Sequence, residues 1–255
     1  MKSLYTLSIA LLLLSGLNAA TFTSKTTGGN WATGSTWVGN PGAGPTSSDD
    51  VYIDGAVTIG SNVTCRSVTI NGSKSLSFST GGYSLTINNS NWGTWLTNNG
   101  TFTAGDGTVV ITNGGNGTTV SNNIIFNNLT LNNVQFNPGG TGTTINGILT
   151  IGSGTSYFTN NIPSFGANAS LVVNGTYNNL VDMSLRSVTI NNGGTFFTQS
   201  YHTYITTINR TSSATCFTNS GTFNGGGGTV YFKSNSASNV LTVSGTCNFG
   251  NVTIE

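Results

Sequence analysis

The chain aligns with itself. The segment from Trp95, WLTNNGTFTAGDGTV, matches the segment from Cys216, CFTNSGTFNGGGGTV, without a gap. The match resumes where Val120 to Leu131, VSNNIIFNNLTL, meets Val243 to Ile254, VSGTCNFGNVTI, with the intervening loop slightly longer in the second copy. A shorter motif recurs at near-equal steps throughout: CRSVTI at Cys65, FNNLTL at Phe126, LRSVTI at Leu185 and FGNVTI at Phe249. Its last three residues alternate apolar, polar, apolar, as a half-buried strand requires. Self-similarity at a fixed period marks a repeat architecture, in which each unit buries its apolar face only against the next.

Finer spacing sets the size of the unit. Strand-like triplets start at Val68, Leu85, Val109, Leu129, Leu149, Leu171, Val188, Ile205, Val230 and Val252, with Leu241 a second strand of the last unit. The mean step from Val68 to Val252 is about 20 residues, within the range of known repeat units. The expectation is an all-β fold, a right-handed parallel β-helix (solenoid) with about 20 residues per coil. Roughly ten coils at ~4.8 Å make a rod on the order of 50 Å long. A β-sandwich also has short strands and turns, but gives no reason for an inward Phe to recur at this period. Val68, Leu129, Val188 and Val252 are expected to face the core. Asn71, Asn132 and Asn191 follow three of the motif copies, where a left-handed corner or an Asn ladder would use them.

Composition narrows the function. Only 5% of the 255 residues are charged, yet 36% are hydrophobic and 10% aromatic. Such a chain can bury a core, unlike a disordered one, and it solvates its surface with hydroxyls and amides. Without Lys2, six basic residues face six acidic ones. A balance near zero argues against nucleic acid as a partner, because that binding depends on clustered Lys and Arg, and none is expected.

Three segments follow. Residues 1–20 have a positive start at Lys2, an apolar run from Leu7 to Leu14 and small residues at Ala19 and Ala20, the layout of a signal peptide. The run is too short to span a membrane, which takes roughly 20 residues, and no later run is apolar enough. Localisation is therefore expected to be secreted or cell surface. Residues 21–60 carry Trp31, Trp37 and three of the six acids and read as an N-terminal cap, since an open coil exposes core and unpaired backbone. Residues 61–255 are the solenoid repeats.

The chemistry-bearing residues are few. Asp49, Asp50 and Asp54 lie close together, and Asp106, Asp182 and Glu255 are isolated. An acid pair could serve a hydrolase, but no basic residue recurs at coil spacing to complete a site, so Asp49 and Asp50 read as turn formers. His202 is the only histidine, and neither a triad nor a zinc site can be assembled around it. Gly225 to Gly228 is followed by neither Lys nor helix and is no phosphate loop. No catalytic residue, metal site or cofactor is expected. Cys65, Cys216 and Cys247 align with apolar residues and read as buried thiols, with a Cys216–Cys247 disulfide as the alternative. Trp92 and Trp95 are the candidate ligand-binding residues, as outward rings for stacking on sugars; the alignment of Trp95 with Cys216 points instead to a ring packed inside.

Two resemblances bear on this reading. The string NWATGSTWVGNPGAGPTSSDDVYIDGAVTI, from Asn30 to Ile59, resembles the opening of the eight-glycine extracellular domain family, in Trp31, Trp37, Gly39, Pro45, Asp50, Val51 and Ile53. The GTF-x-x-G-x-G-TV blocks with NLTLNN and SVTINN resemble repeats of large secreted surface proteins of the Bacteroidota. That resemblance implies an extracellular, adhesin-like parallel β-helix.

The leading expectation is a non-enzymatic extracellular structural or adhesive protein that engages glycans or matrix. The alternative is a polysaccharide lyase or glycoside hydrolase on the same fold. A third class, ice binding, needs dense Thr arrays; Thr69, Thr130, Thr189 and Thr253 recur only every three coils or so and form too sparse an array. The strand Asn251 to Ile254 has no following cap, so the last coil is expected to be continued by further chain or to associate end to end.

Overall fold

The computed structural model describes residues 19–39, 42–90, 93–112, 118–121, 123–139, 142–158, 163–207, 214–234 and 236–255. The signal-peptide run therefore lies outside the described residues. The described chain is all-β: thirty short strands and a single 3-10 turn at Gly34–Thr36. The strands form five sheets, one of ten strands, one of nine and three short ones of four, three and four. Every pairing between the named strands is parallel.

Chain order explains the sheets. From Asp50 the chain lays down one strand in the ten-stranded sheet (Asp50–Ile53), one in a short sheet (Ala56–Ile59) and one in the nine-stranded sheet (Val63–Cys65). The next three strands, Ser67–Ile70, Ser75–Phe78 and Ser84–Asn88, repeat that order. The rotation continues to Leu241–Gly245. Parallel neighbours need a crossover connection; here two further strands supply it. In the nine-stranded sheet the shortest step between register partners runs from Leu171 to Val188 and the longest from Val188 to Phe217.

Alternation along each strand makes the core. Ser84–Asn88, SLTIN, buries Leu85 and Ile87 and turns Ser84, Thr86 and Asn88 outward, as the two-residue pleat dictates. Leu85, Val109, Leu129, Leu149, Leu171 and Val188 are successive partners in one inward file and none is more than 1% exposed. Cys65, Ile87, Ile111, Leu131, Ile151, Val173 and Ile190 form the file beside it. In the ten-stranded sheet Phe136, Phe158, Tyr177, Phe196 and Phe223 stack as a ladder with ring centroids 5.4–6.1 Å apart, inside the range where aromatic pairs gain beyond area burial. Trp31 and Trp37 are both buried, edge to face at 5.3 Å, and the Trp37 indole N–H donates to the Trp31 carbonyl.

Several expectations need correction. The four copies of the short motif do not share a face. Val68 lies in the ten-stranded sheet, Leu129 and Val188 in the nine-stranded sheet and Val252 in a short sheet. Three of the four are buried, but Val252 is 47% exposed. It pairs with the buried Val230 and so points inward. No described strand stacks beyond it, and with Phe232, Leu241, Val243, Phe249 and Ile254 it lines an open hollow of about 380 Å³. The left-handed corner residues are Ser73, Asn133 and Gly193, just after Asn71, Asn132 and Asn191. Those asparagines bridge neighbouring turns through their side chains instead: Asn71 donates to Asp54, Asn191 to Asn174, and Asn132 accepts the Ser153 N–H.

Candidate functional site

The acidic residues near the N-terminus are occupied with structure. The buried Asp49 carboxylate accepts the N–H and hydroxyl of Thr46, both at 2.7 Å, and the Ala20 N–H at 3.1 Å. Asp50 takes a two-pronged contact from the Arg66 guanidinium and a hydroxyl bond from Ser67, its register partner. The Arg66 hydrogen bond, chiefly, holds the Asp50 carboxyl below its ordinary range despite partial burial. The Asp49 bond from Ala20 and the Asp50 bonds from Arg66 and Ser67 each join segments distant in sequence. Asp106 fills a nest made by the N–H groups of Gly81 and Gly82, whose φ values are 137° and 65°. Those backbone donors lower its pKa.

His202 has partners within the fold. The half-buried His202 ring accepts the Thr229 N–H at its Nδ1 and meets Tyr231 edge to face at 5.7 Å. None of the three cysteines is in a disulfide, so the Cys216–Cys247 bridge is not formed. Cys65 and Cys216 are fully buried, and burial pushes the Cys65 thiol far above its usual range. Cys247 is only half-buried, so the expectation of three buried thiols holds for two. Among the described residues no group of three or more His, Cys, Asp or Glu is placed to hold a metal ion.

Of the two candidate ligand residues, Trp92 lies outside the described residues. Trp95 is 1% exposed, at the buried centre of the strand Gly93–Asn98. A ring with no accessible face cannot stack on a sugar, and its proposed role in ligand binding is withdrawn.

The outward side of the nine-stranded sheet presents a different feature. Its central file reads Thr64, Thr86, Val110, Thr130, Thr150, Val172, Thr189, Thr218 and Ser244, each paired in register with the next. Eight consecutive rungs are β-branched, and all nine are half-exposed or exposed. Beside the file run Ser84, Thr108 and Asn128, then Ile148, Ser170 and Ser187, on one flank. The other flank carries Asn88, Thr112 and Asn132. None of the nine strands contains Asp, Glu, Lys or Arg. Phe217 is their only aromatic residue and it is buried. The other sheets do not sustain such a file. The ten-stranded sheet reads Thr23, Tyr52, Thr69, Thr97, interrupted by an exposed ring. A short sheet gives Thr58, Ser77 and Thr103 and then ends.

The file is not legible in the spacing of the short motif. Thr69, Thr130, Thr189 and Thr253 stand on three different sheets. Thr130 and Thr189 belong to the nine-stranded file, where Thr64, Thr86, Thr150 and Thr218 join them with Val110 and Val172 between. Among the described residues no helix is long and apolar enough to cross a membrane. No protein-family model, curated protein or solved structure matches this chain.

Proposed function

We propose that this protein is a non-enzymatic extracellular scaffold, a right-handed β-solenoid that binds an extended, repetitive, uncharged ligand along its nine-stranded sheet. Its coils are of about 20 residues. Eight register steps carry that sheet from Val63 to Val243, which supports a coil slightly longer than this. Residues 21–60 cap its first coil through Trp31 and Trp37. The resemblances to the eight-glycine extracellular domain family and to secreted Bacteroidota surface proteins, with the signal-like residues 1–20, support an extracellular setting and an adhesive or structural role.

The observation that carries this reading is the uncharged outward face with its unbroken file of hydroxyl- and methyl-bearing rungs. A globular surface usually mixes both signs of charge. A long face without any favours partners that bring no charge to be neutralised, such as neutral glycans or matrix polymers. Binding would spread over many weak contacts on a rigid surface, which loses little conformational freedom on association.

Residues 21–255 applied to an array of neutral and acidic polysaccharides provide the test. Retention of neutral polymers with no release of chain ends is expected. Thr150→Tyr, at the centre of the face, should abolish retention, because an outward ring lifts any extended ligand off the neighbouring rungs. Polymer cleavage that falls several hundredfold on replacing Asp49, Asp50 or His202 by Ala would overturn this reading in favour of a lyase or hydrolase.

A further inference from the structure

We infer that the nine-stranded sheet takes ordered water as a further ligand, and that this face adsorbs to ice. The inference rests on the proposal that this sheet is the binding face.

Spacing comes first. Adjacent parallel strands lie about 4.8 Å apart, close to the shortest oxygen repeat within the layers of ordinary ice. The eight β-branched rungs from Thr64 to Thr218 therefore form a file of about 34 Å at that interval. The interval is set by backbone hydrogen bonding and not by flexible side chains. Branching at Cβ restricts χ1, so the hydroxyls and methyls are held in place before any water orders on them.

Chemistry comes second. Each Thr offers one hydroxyl, which can occupy a water position in a lattice, and one methyl, around which water arranges in a cage. Val110 and Val172 lack the hydroxyl but keep a methyl at the same branch. The methyl file is thus continuous over all eight rungs, while the hydroxyl file is interrupted twice. Water ordered over a methyl lattice therefore meets a methyl at every one of the eight rungs. No exposed aromatic ring rises from the nine strands of this face to lift a flat lattice off the rungs. The nine strands carry no ion whose tightly held hydration shell would disrupt a growing lattice.

The experiment measures thermal hysteresis and ice shaping by residues 21–255, with the labelled protein followed onto a single ice crystal. The wild type should halt crystal growth and coat defined ice planes. Thr130→Tyr and Thr150→Tyr should each lower the hysteresis roughly tenfold at equal concentration, as expected when the centre of a complementary surface is broken, with circular dichroism unchanged. Thr150→Val, which keeps the methyl, should retain most of the activity. Ser77→Tyr, outward on a short sheet, should retain all of it. A folded wild type with no hysteresis, shaping or adsorption at its solubility limit overturns the inference; so does activity that Ser77→Tyr lowers as much as Thr150→Tyr. If ice activity is absent while retention on a neutral polymer is lost in Thr150→Tyr, the face remains the binding surface and only its ligand has been misassigned. If both are absent, the binding-face proposal falls as well.

Discussion

Leu129 and Val252 occupy the same place in two copies of one motif and have different energetic weights. Leu129 is sealed between Val109 and Leu149. Leu129→Ala removes buried methyls and leaves a cavity, a loss of about 2–5 kcal/mol. Among the described residues Val252 is paired on one side only and is 47% exposed, so in residues 21–255 Val252→Ala should cost less than about 1 kcal/mol. Urea denaturation of the two variants reads the difference directly. Asp50 gives a second prediction. Its folded pKa lies below the ordinary 3.8 because of Arg66. A carboxyl depressed on folding contributes stability above its unfolded pKa and loses it as pH falls through the lower, folded value. Wild-type stability should therefore decline below pH 3.8. Asp50→Asn should be less stable at neutral pH and lack that part of the decline, as measured by urea midpoints across the acid range.

At the scale of strands and corners, much of the fold was readable from the chain. Six of the triplets picked from spacing, at Leu85, Val109, Leu129, Leu149, Leu171 and Val188, are consecutive rungs of one file. Alternation identified them because one side of each strand is buried and a shift of one residue would expose it. The assignment of copies to faces was not readable. The short motif spans a corner: Cys65 ends a strand of the nine-stranded sheet and Ser67–Ile70 begins one in the ten-stranded sheet, whereas Phe126 and Leu185 end short-sheet strands and lead into the nine-stranded sheet. Local sequence specifies the bend, and a bend of this kind serves at more than one corner. The long repeat behaves likewise. Trp95 lies in the ten-stranded sheet and its counterpart Cys216 in the nine-stranded one. Thr101–Thr103 lies in a short sheet and its counterpart Thr222–Asn224 in the ten-stranded one. The second copy is turned by one face, so an inward position is preserved while the identity of the face is not. That is why the outward threonine file could not be assembled from motif spacing. Register makes a sharp prediction within one strand. In Thr195–Phe197, Phe196 belongs to the buried aromatic ladder and Phe197 points outward. Phe196→Ala should cost about 3–5 kcal/mol and Phe197→Ala under about 1 kcal/mol. Equal costs, measured by chemical denaturation, would place the strand in the wrong register.

For the whole molecule, stability is expected to vary along the stack. In a repeat array each unit contacts only its neighbours, so stability is close to a sum of unit and interface terms. Units with two packed neighbours therefore open less often than a unit with one. Beside the first strands Trp31, Trp37 and Phe22 are buried in edge contacts centred on Trp37, which should raise protection there. At the other, Val243, Val252 and Ile254 are 41%, 47% and 81% exposed, and Leu241–Gly245 and Asn251–Ile254 are the terminal strands of their sheets. Native-state hydrogen exchange on residues 21–255 should consequently show a gradient, since amides in poorly packed segments exchange through cheap local openings. Protection should be greatest from Thr108–Thr112 to Ser187–Ile190, where both inward files are sealed, and least from Leu241 onward. The face bearing the threonine file would then be most rigid at Thr130 and Thr150, the rungs chosen for substitution. Uniform protection from one end to the other would mean that the array unfolds as a single cooperative unit and that nearest-neighbour packing does not set its stability.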